Sequence, residues 1–300
     1  MNYGRTSLRR RAKQLDARGT RIRHKIGVIL GKLLLIGIIV GGCATVSFGV
    51  GAFKGILASA PDISEVDVIP TGYSTKVLAA DGSETAKLVA AGSNRQYVTI
   101  DQIPENLQHA VVAIEDERFY DHNGIDLKGI VRALVADVRT RDFSQGASTL
   151  TQQLIKNNVL SEQWANENDS NISKMEKMER QVQRKIQEQY LAIELEKKVN
   201  DKNWILENYL NSINLGSNTL GVQAAAQRYF GKDVSKLTLS ECAVIAGITK
   251  NPAGYNPILH PKENAKRRKN VLDAMKKQGY ISQKQYDKAM ADDVYGRISE

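Results

Sequence analysis

The sequence predicts a mainly α-helical fold with a small β element, preceded by one transmembrane helix. Three observations carry that expectation. An uncharged apolar run extends from Leu33 to Phe53, and two short apolar runs flank the pair Asp81-Gly82. From Pro104 onward, helix periodicity and helix caps replace the strand signals.

The apolar run is 21 residues long, and a helix rising about 1.5 Å per residue needs about 20 to cross the hydrocarbon layer. A cleaved signal peptide would have an apolar core of only about 7 to 15 residues. Ahead of the run, residues 1–32 hold ten basic side chains and one acid, Asp16, which accounts for the whole formal charge of +9 on the 300-residue chain. The remainder is neutral in sum, so no basic face is left to neutralise phosphates, and nucleic acid is not an expected partner. By the positive-inside rule the basic tail stays in the cytoplasm and everything after Lys54 lies outside. The expected boundaries are 1–32 for a cytoplasmic basic tail, 33–53 for a transmembrane helix, 54–100 for a membrane-proximal linker with a β-hairpin, and 101–295 for the functional domain. Asp81-Gly82 favours the tight turn of that hairpin. Two cysteines, Cys43 in the span and Cys242 in the outer domain, offer no intramolecular disulfide, and with four scattered histidines they make no zinc site of ordinary spacing.

Three segments carry the chemistry. In the first, the apolar stretch Leu107–Ile114 runs into Glu115 and Asp116, and the chain then passes Phe119 and His122 and turns at Asn123-Gly124. A carboxylate at such an edge is partly desolvated, the condition under which a carboxylate serves as a base near neutral pH. In the second, Gly146-Ala-Ser148-Thr149 opens a helix, and Ser148, Gln152 and Lys156 recur at i, i+4 and i+8. One polar face beside a helix N-terminus suits an anionic, oxygen-rich ligand. In the third, Arg184 and Lys185 precede Glu188, placing cations and a second carboxylate where a leaving group could gain negative charge. Two later stretches, with Glu207, Tyr209 and Asn211 in one and Arg267 in the other, follow helix spacing and read as structural.

Taken together and in this order, the segments Glu115-Asp-x-x-Phe119-x-x-His122-x-Gly124, Gly146-x-Ser-Thr-x-Thr-Gln-Gln-x-x-Lys156-Asn157, Arg184-Lys-x-x-Glu188, Ile205-Leu-Glu207-x-Tyr209-Leu-Asn211 and Arg267-x-x-x-Val271-Leu resemble the family 51 peptidoglycan glycosyltransferases. These are monofunctional enzymes or the first catalytic domain of class A penicillin-binding proteins. The resemblance covers roughly residues 70–290. It departs at Gly216-Ser-Asn-Thr-Leu, where the family has a Gly-x-Gly-x-Tyr form. No Ser-x-x-Lys with Lys-Thr-Gly is present in the 300 residues.

The resemblance implies a lysozyme-like helical glycosyltransferase domain at the outer face of a bacterial cell membrane, held by a single pass with the N-terminus in the cytoplasm. Its substrates would be lipid II and the growing glycan chain, in contact with the lipid bilayer and with cell-wall synthesis proteins as further partners. It further implies Glu115 and Glu188 as catalytic residues, and Asp116, Ser148, Gln152, Gln153, Lys156, Asn157, Arg184 and Lys185 as substrate-binding. Phe119, His122, Gly124, Glu207, Tyr209, Asn211 and Arg267 would shape the motifs. No cofactor is required, although a divalent metal, Mg or Mn, could accompany the pyrophosphate. Two other classes compete. One is a lysozyme-like peptidoglycan hydrolase, which also needs two carboxylates. The other is a non-enzymatic scaffold pairing through Met175, Met178, Val182, Ile186 and Tyr190. The polar loop Leu160–Lys174 is expected to be mobile, with Trp164 at the lipid headgroups.

Overall fold

The computed structural model describes residues 4–16, 18–64, 68–70, 75–82, 84–88, 95–140, 148–161, 163–164 and 172–298. The chain divides into two compact units, 1–59 and 60–300.

The first unit consists of α1 (Arg5–Asp16) and α2 (Arg18–Ala58). The expected span lies inside α2 but does not fill it, because the apolar helix runs from Ile22 to Ala58, 37 residues. The stretch between Arg18 and Leu33 is rich in Arg and Lys, good helix formers, and contains no proline. Nothing therefore stops the helix before the apolar run begins. By length and composition α2 can cross a membrane.

The second unit opens with strands β1 (Thr75–Leu78) and β2 (Glu84–Leu88), which pair antiparallel with Thr75 opposite Leu88. Gly82 takes a φ of +82° between them, and its N–H donates to the Ala79 carbonyl at 2.9 Å. The helical body comprises α3 (Glu105–Glu115), α4 (Leu127–Thr140), α5 (Leu150–Asn158), α6 (Lys174–Val199), α7 (Lys202–Ser212), α8 (Val222–Phe230), α9 (Leu239–Ile248), α10 (Pro261–Lys277) and α11 (Gln283–Ala291).

Helix α9 forms the centre of this body. All its residues from Ser240 to Ile248 are buried, as expected of a helix that is apolar on every side. Helices α3 and α10 pack against α9 and against each other, while α5 packs between α6 and α7. These two groups of helices provide the two walls of the site. A short segment is fastened to α7 by polar contacts. Asn211 accepts from the Val98 N–H at 3.0 Å and donates to its carbonyl at 2.8 Å, and Glu207 accepts from the Ile100 N–H at 2.6 Å and from the Tyr97 hydroxyl. The loop that departs from the family form closes without the second glycine. Ser217 and Asn218 follow Gly216 in the left-handed region, at φ 47° and 57°. The turn is held by the Thr219 N–H on the Gly216 carbonyl and the Leu215 N–H on the Thr219 carbonyl.

Gly124 is a position where only glycine fits. Its φ is +88°, and a Cβ there would lie 2.6 Å from the Ala192 carbonyl group on α6. The left-handed conformation alone costs an L-residue about 1–2 kcal/mol, and the overlap with backbone adds to it. Gly124→Ala is expected to destabilise the second unit by at least about 2 kcal/mol, lowering its thermal midpoint by roughly 4–8 °C. An unchanged midpoint would show that the close approach is relieved at no cost.

Candidate active site

A cavity of about 450 Å³ opens between the two helix groups. Glu115, the last residue of α3, enters it from one wall together with Thr249 and Lys250, which follow α9, and Arg267 of α10. From the other wall come Gln153 and Lys156 of α5 and Arg184, Lys185 and Glu188 of α6, with Ser148 just ahead of the α5 cap.

Glu115 is half-buried and fully engaged on one side. Its Oε1 accepts the Thr249 hydroxyl at 2.6 Å and faces Arg267 Nη2 at 3.5 Å, while Oε2 accepts Gln153 Nε2 at 3.2 Å. The amide of Gln153 is oriented by Tyr209, whose hydroxyl donates to Gln153 Oε1 at 3.1 Å. Burial pushes the Tyr209 phenol well above its ordinary value, and the Glu115 and Asp116 charges add to that, so the phenol remains a donor.

Glu188 is almost completely buried, and both its oxygens are paired, one with Arg184 and the other with Lys185 Nζ at 3.0 Å. Lys185 donates as well to Ser148 Oγ at 2.6 Å and to Gln152 Oε1 at 3.3 Å. Charge-assisted bonds of this kind fix the cations in place. Lys156 and Lys250 are exposed and have no ion pair among the described residues. The cavity wall thus presents five cations (Lys156, Arg184, Lys185, Lys250 and Arg267) and two carboxylates. Lys156 and Arg184 also line a second cavity of about 390 Å³ with Asn157, Trp164 and Asn214.

Both expected carboxylates, Glu115 and Glu188, therefore face one cavity. So do Ser148, Gln153, Lys156, Arg184 and Lys185, and Asn157 faces the adjoining one. Two expected substrate contacts lie elsewhere. Asp116 is buried beside Glu115; its carboxylate accepts the Leu150 N–H at 2.9 Å and meets His122 Nε2 at 3.0 Å through both oxygens. Gln152 is buried because Thr149 and Gln152 form a capping box that turns its carboxamide back to the start of α5. The single face of Ser148, Gln152 and Lys156 is corrected accordingly. Helix α5 begins at Leu150, Ser148 precedes it, and the cavity sees Gln153 and Lys156.

Among the residues expected to shape the motifs, Phe119 is buried under the Lys202 ammonium, 4.6 Å from its ring centre, and Lys202 donates to the His122 carbonyl at 2.6 Å. Arg267, by contrast, stands on the cavity wall. Thr249 and Lys250 were not anticipated. The signal that could have found them is the one that marked Glu115: polar residues immediately after an apolar helix. Trp164 is half-buried, and its indole N–H donates to Gln187 of α6 at 3.1 Å, so the ring is held on the protein. Residues 165–171 of that loop, and Gly146 of the second motif, lie outside the described residues.

Both oxygens of Glu188 are taken by cations, and among the described residues no three His, Cys, Asp or Glu side chains converge.

The family model described as "Transglycosylase" matches residues 81–276, a stretch that contains every residue of both cavities. The chain belongs to the transglycosylase family. Among curated proteins, this transglycosylase is 39% identical over 258 residues to "Penicillin-binding protein 1A/1B" of Bacillus subtilis (strain 168), covering 86% of the chain and 25% of the relative. It is 40% identical over 245 residues to "Penicillin-binding protein 1A" of Escherichia coli (strain K12), covering 81% and 26%. A crystal structure of Penicillin-Binding Protein 1A from Haemophilus influenzae matches at a TM-score of 0.41 and 25% identity, over 77% of this chain and 22% of that one. The transglycosylase chain spans about a quarter of the length of these curated relatives.

The positions of Asp116 and Gln152 generate a test. Asp116→Ala leaves the buried Leu150 N–H unpaired, for which about 1–3 kcal/mol is typical. The expected result is a lower thermal midpoint with unchanged affinity of the folded protein for a pyrophosphate-bearing donor analogue. Weakened donor affinity at full stability would return Asp116 to the substrate contacts.

Proposed function

We propose that the chain is a membrane-anchored peptidoglycan polymerase. It joins lipid II units, disaccharide-pentapeptides carried on polyprenyl pyrophosphate, into glycan chains by inverting transfer. The observation that carries this reading is the pairing, in one cavity, of a hydrogen-bonded carboxylate at one end with a cluster of cations at the other.

Glu115 takes the proton from the 4-hydroxyl of the acceptor sugar as that oxygen attacks the anomeric carbon of the growing chain from the face opposite the leaving group. The new C–O bond forms, the anomeric C–O bond to pyrophosphate breaks, and its electron pair leaves with the phosphate. One negative charge thereby passes from Glu115 to the departing pyrophosphate. Lys156, Arg184 and Lys185 receive it, and Glu188 holds Arg184 and Lys185 for that task. Pyrophosphate is a good leaving group and needs cations more than a proton. A hydrolase acting on a neutral glycosidic bond has no use for such a cluster, which supports the transferase over the hydrolase. A buried constellation of paired charges also supports an enzyme over a scaffold, because desolvating charges without a function is costly.

Helix α2 would anchor the enzyme in the bacterial cell membrane, with the basic tail inside and the catalytic unit outside. A substrate whose polyprenyl tail stays in the bilayer would then meet the enzyme in two dimensions, at a raised effective concentration.

Three outcomes are expected with labelled lipid II and a gel that resolves glycan chains. Glu115→Gln keeps the side-chain shape and loses the base, so polymer formation should fall by about 10²- to 10⁴-fold at unchanged stability. Near-normal turnover would remove Glu115 from its role. Lys156→Ala and Arg184→Ala should each reduce both turnover and the binding of pyrophosphate-bearing analogues; unaltered binding in both would mean that these cations do not meet the donor. Deleting residues 1–53 should lower activity on membrane-embedded lipid II far more than on detergent-dispersed substrate, and equal losses in the two settings would refute the anchoring role.

A further inference from the structure

Thr249 is the first residue beyond α9, with αR backbone geometry at φ −51° and ψ −40°. Its Oγ1 stands 2.6 Å from Glu115 Oε1 and 2.9 Å from the Ala246 carbonyl oxygen. A hydroxyl has one hydrogen, and a carbonyl oxygen can only accept. While Glu115 is ionised, both neighbours of Oγ1 are acceptors competing for that hydrogen. The bond to a carboxylate is charge-assisted and roughly twice as strong as one to a neutral carbonyl, so the hydrogen goes to Glu115. Once Glu115 has gained a proton, that advantage is gone, and the hydrogen can turn to the Ala246 carbonyl by rotation about the Cβ–Oγ1 bond alone, with no heavy atom displaced.

We infer that Thr249 is a positioning residue for the base, its single hydroxyl hydrogen following the charge of Glu115 through each transfer. The inference rests on the role proposed above for Glu115 and specifies which oxygen acts. Oε1 has the Thr249 hydroxyl and Arg267 against it, whereas among the described residues Oε2 has the Gln153 amide alone. A carboxylate oxygen has about two lone-pair sites, so Oε2 keeps one open for the acceptor hydroxyl. The proton arrives on Oε2 and afterwards leaves to water. The Thr249 hydroxyl, 2.6 Å from Oε1, turns back to Glu115 when its charge returns and holds the carboxylate in place for the next transfer, a step that a polymerase repeats many times on one chain.

The charged groups around Glu115 come from several elements. Arg267 projects from α10, Lys250 follows α9, Lys156 lies on α5, Asp116 is next in the chain, and Arg184, Lys185 and Glu188 lie on α6 across the cavity. Tyr209 of α7, held protonated by burial, reaches Glu115 through Gln153. None of these changes when Thr249 is replaced, so the hydroxyl can be tested alone.

The experiment measures initial rates of polymer formation by the full chain with detergent-dispersed lipid II across about pH 5 to 9. Thr249→Val keeps the shape and loses the hydroxyl, and Thr249→Ala removes it with less bulk at the branch. Loss of a donor to the ionised form should move the acid limb of the kcat profile to higher pH by about 0.5–1 unit, leave KM for lipid II unchanged, and reduce the rate about three- to tenfold at pH values below the wild-type limb. Thr249→Ser should restore the wild-type limb. A limb that stays in place in both Thr249→Val and Thr249→Ala, or a loss of rate equal at every pH, would overturn the inference and leave Thr249 as an ordinary helix-end residue. Failure of Thr249→Ser to restore the limb would do the same. Glu115→Gln, measured alongside, keeps the two levels apart: an active Glu115→Gln overturns the role of Glu115 itself, whereas an inactive one with an unmoved limb in the Thr249 variants overturns only the part assigned to Thr249.

Discussion

One buried carboxylate fixes the relation between the helices on which the rest of the site depends. Asp116 is the residue that caps the end of α3, and it accepts the Leu150 N–H, one of the free amides that open α5, while His122 closes on it from the following turn. An anion at a helix N-terminus meets both free N–H groups and the positive end of the helix dipole. The bond therefore ties the end of α3 to the start of α5. Because Glu115 is the residue before Asp116, and Gln153 and Lys156 lie within the first two turns of α5, this single contact sets where Glu115 stands relative to Gln153 and to the first of the cations. Gly124 and Thr149 reinforce the joint from the outside, the Thr149 hydroxyl donating to the Gly124 carbonyl at 2.7 Å.

The other side of the joint is α6. Lys185 reaches Ser148 and Gln152 at the start of α5, and Thr151 donates to Glu196 at 2.6 Å further along α6. Glu196 in turn pairs with Lys202 at 2.6 Å, whose ammonium also lies over the Phe119 ring in the first motif. The motifs are thus joined in a closed circuit of polar contacts, first to second through Asp116, second to third through Lys185 and Glu196, and third back to first through Lys202. Most of these partners are buried or half-buried, where a missing partner would leave a costly unpaired group. Residues named for their motif membership serve in large part as the joints of that circuit, which explains why Asp116 and Gln152 carry no cavity surface.

Much of the architecture was legible before the structure because it depends on local signals. Asp81-Gly82 specified the hairpin turn, and the uncharged run placed the apolar helix. What local signals do not specify is which way a polar residue turns once a cap or a buried partner claims it. Gln152 followed Ser148 and Lys156 in helical spacing and so resembled a cavity residue, yet the cap drew it inward. Arg267 has the spacing of a structural helix residue, yet α10 packs on α3 such that its guanidinium meets Glu115, 152 positions earlier in the chain. Thr249 has the same history: its contact with Glu115 spans 134 positions, and no motif or periodicity encodes a pairing at that separation.

The two carboxylates of the cavity differ in a way that supports the roles proposed for them. Around Glu115 the close donors are a neutral hydroxyl and a neutral amide, with the nearest cation at 3.5 Å. Around Glu188 both oxygens meet cations directly. If Glu115 gains a proton, the neighbouring groups lose only charge-assisted hydrogen bonds, and the Thr249 hydroxyl has a second acceptor to turn to. If Glu188 gained one, Arg184 and Lys185 would lose their counter-charge in a half-buried site, which is a far larger penalty. A group that must change charge in every cycle belongs in the first environment, and a group that must hold cations still belongs in the second. In the reaction proposed above, each transfer moves one negative charge across the cavity. The protein meets that movement by leaving charge free to disappear at the Glu115 end and by fixing positive charge where it arrives.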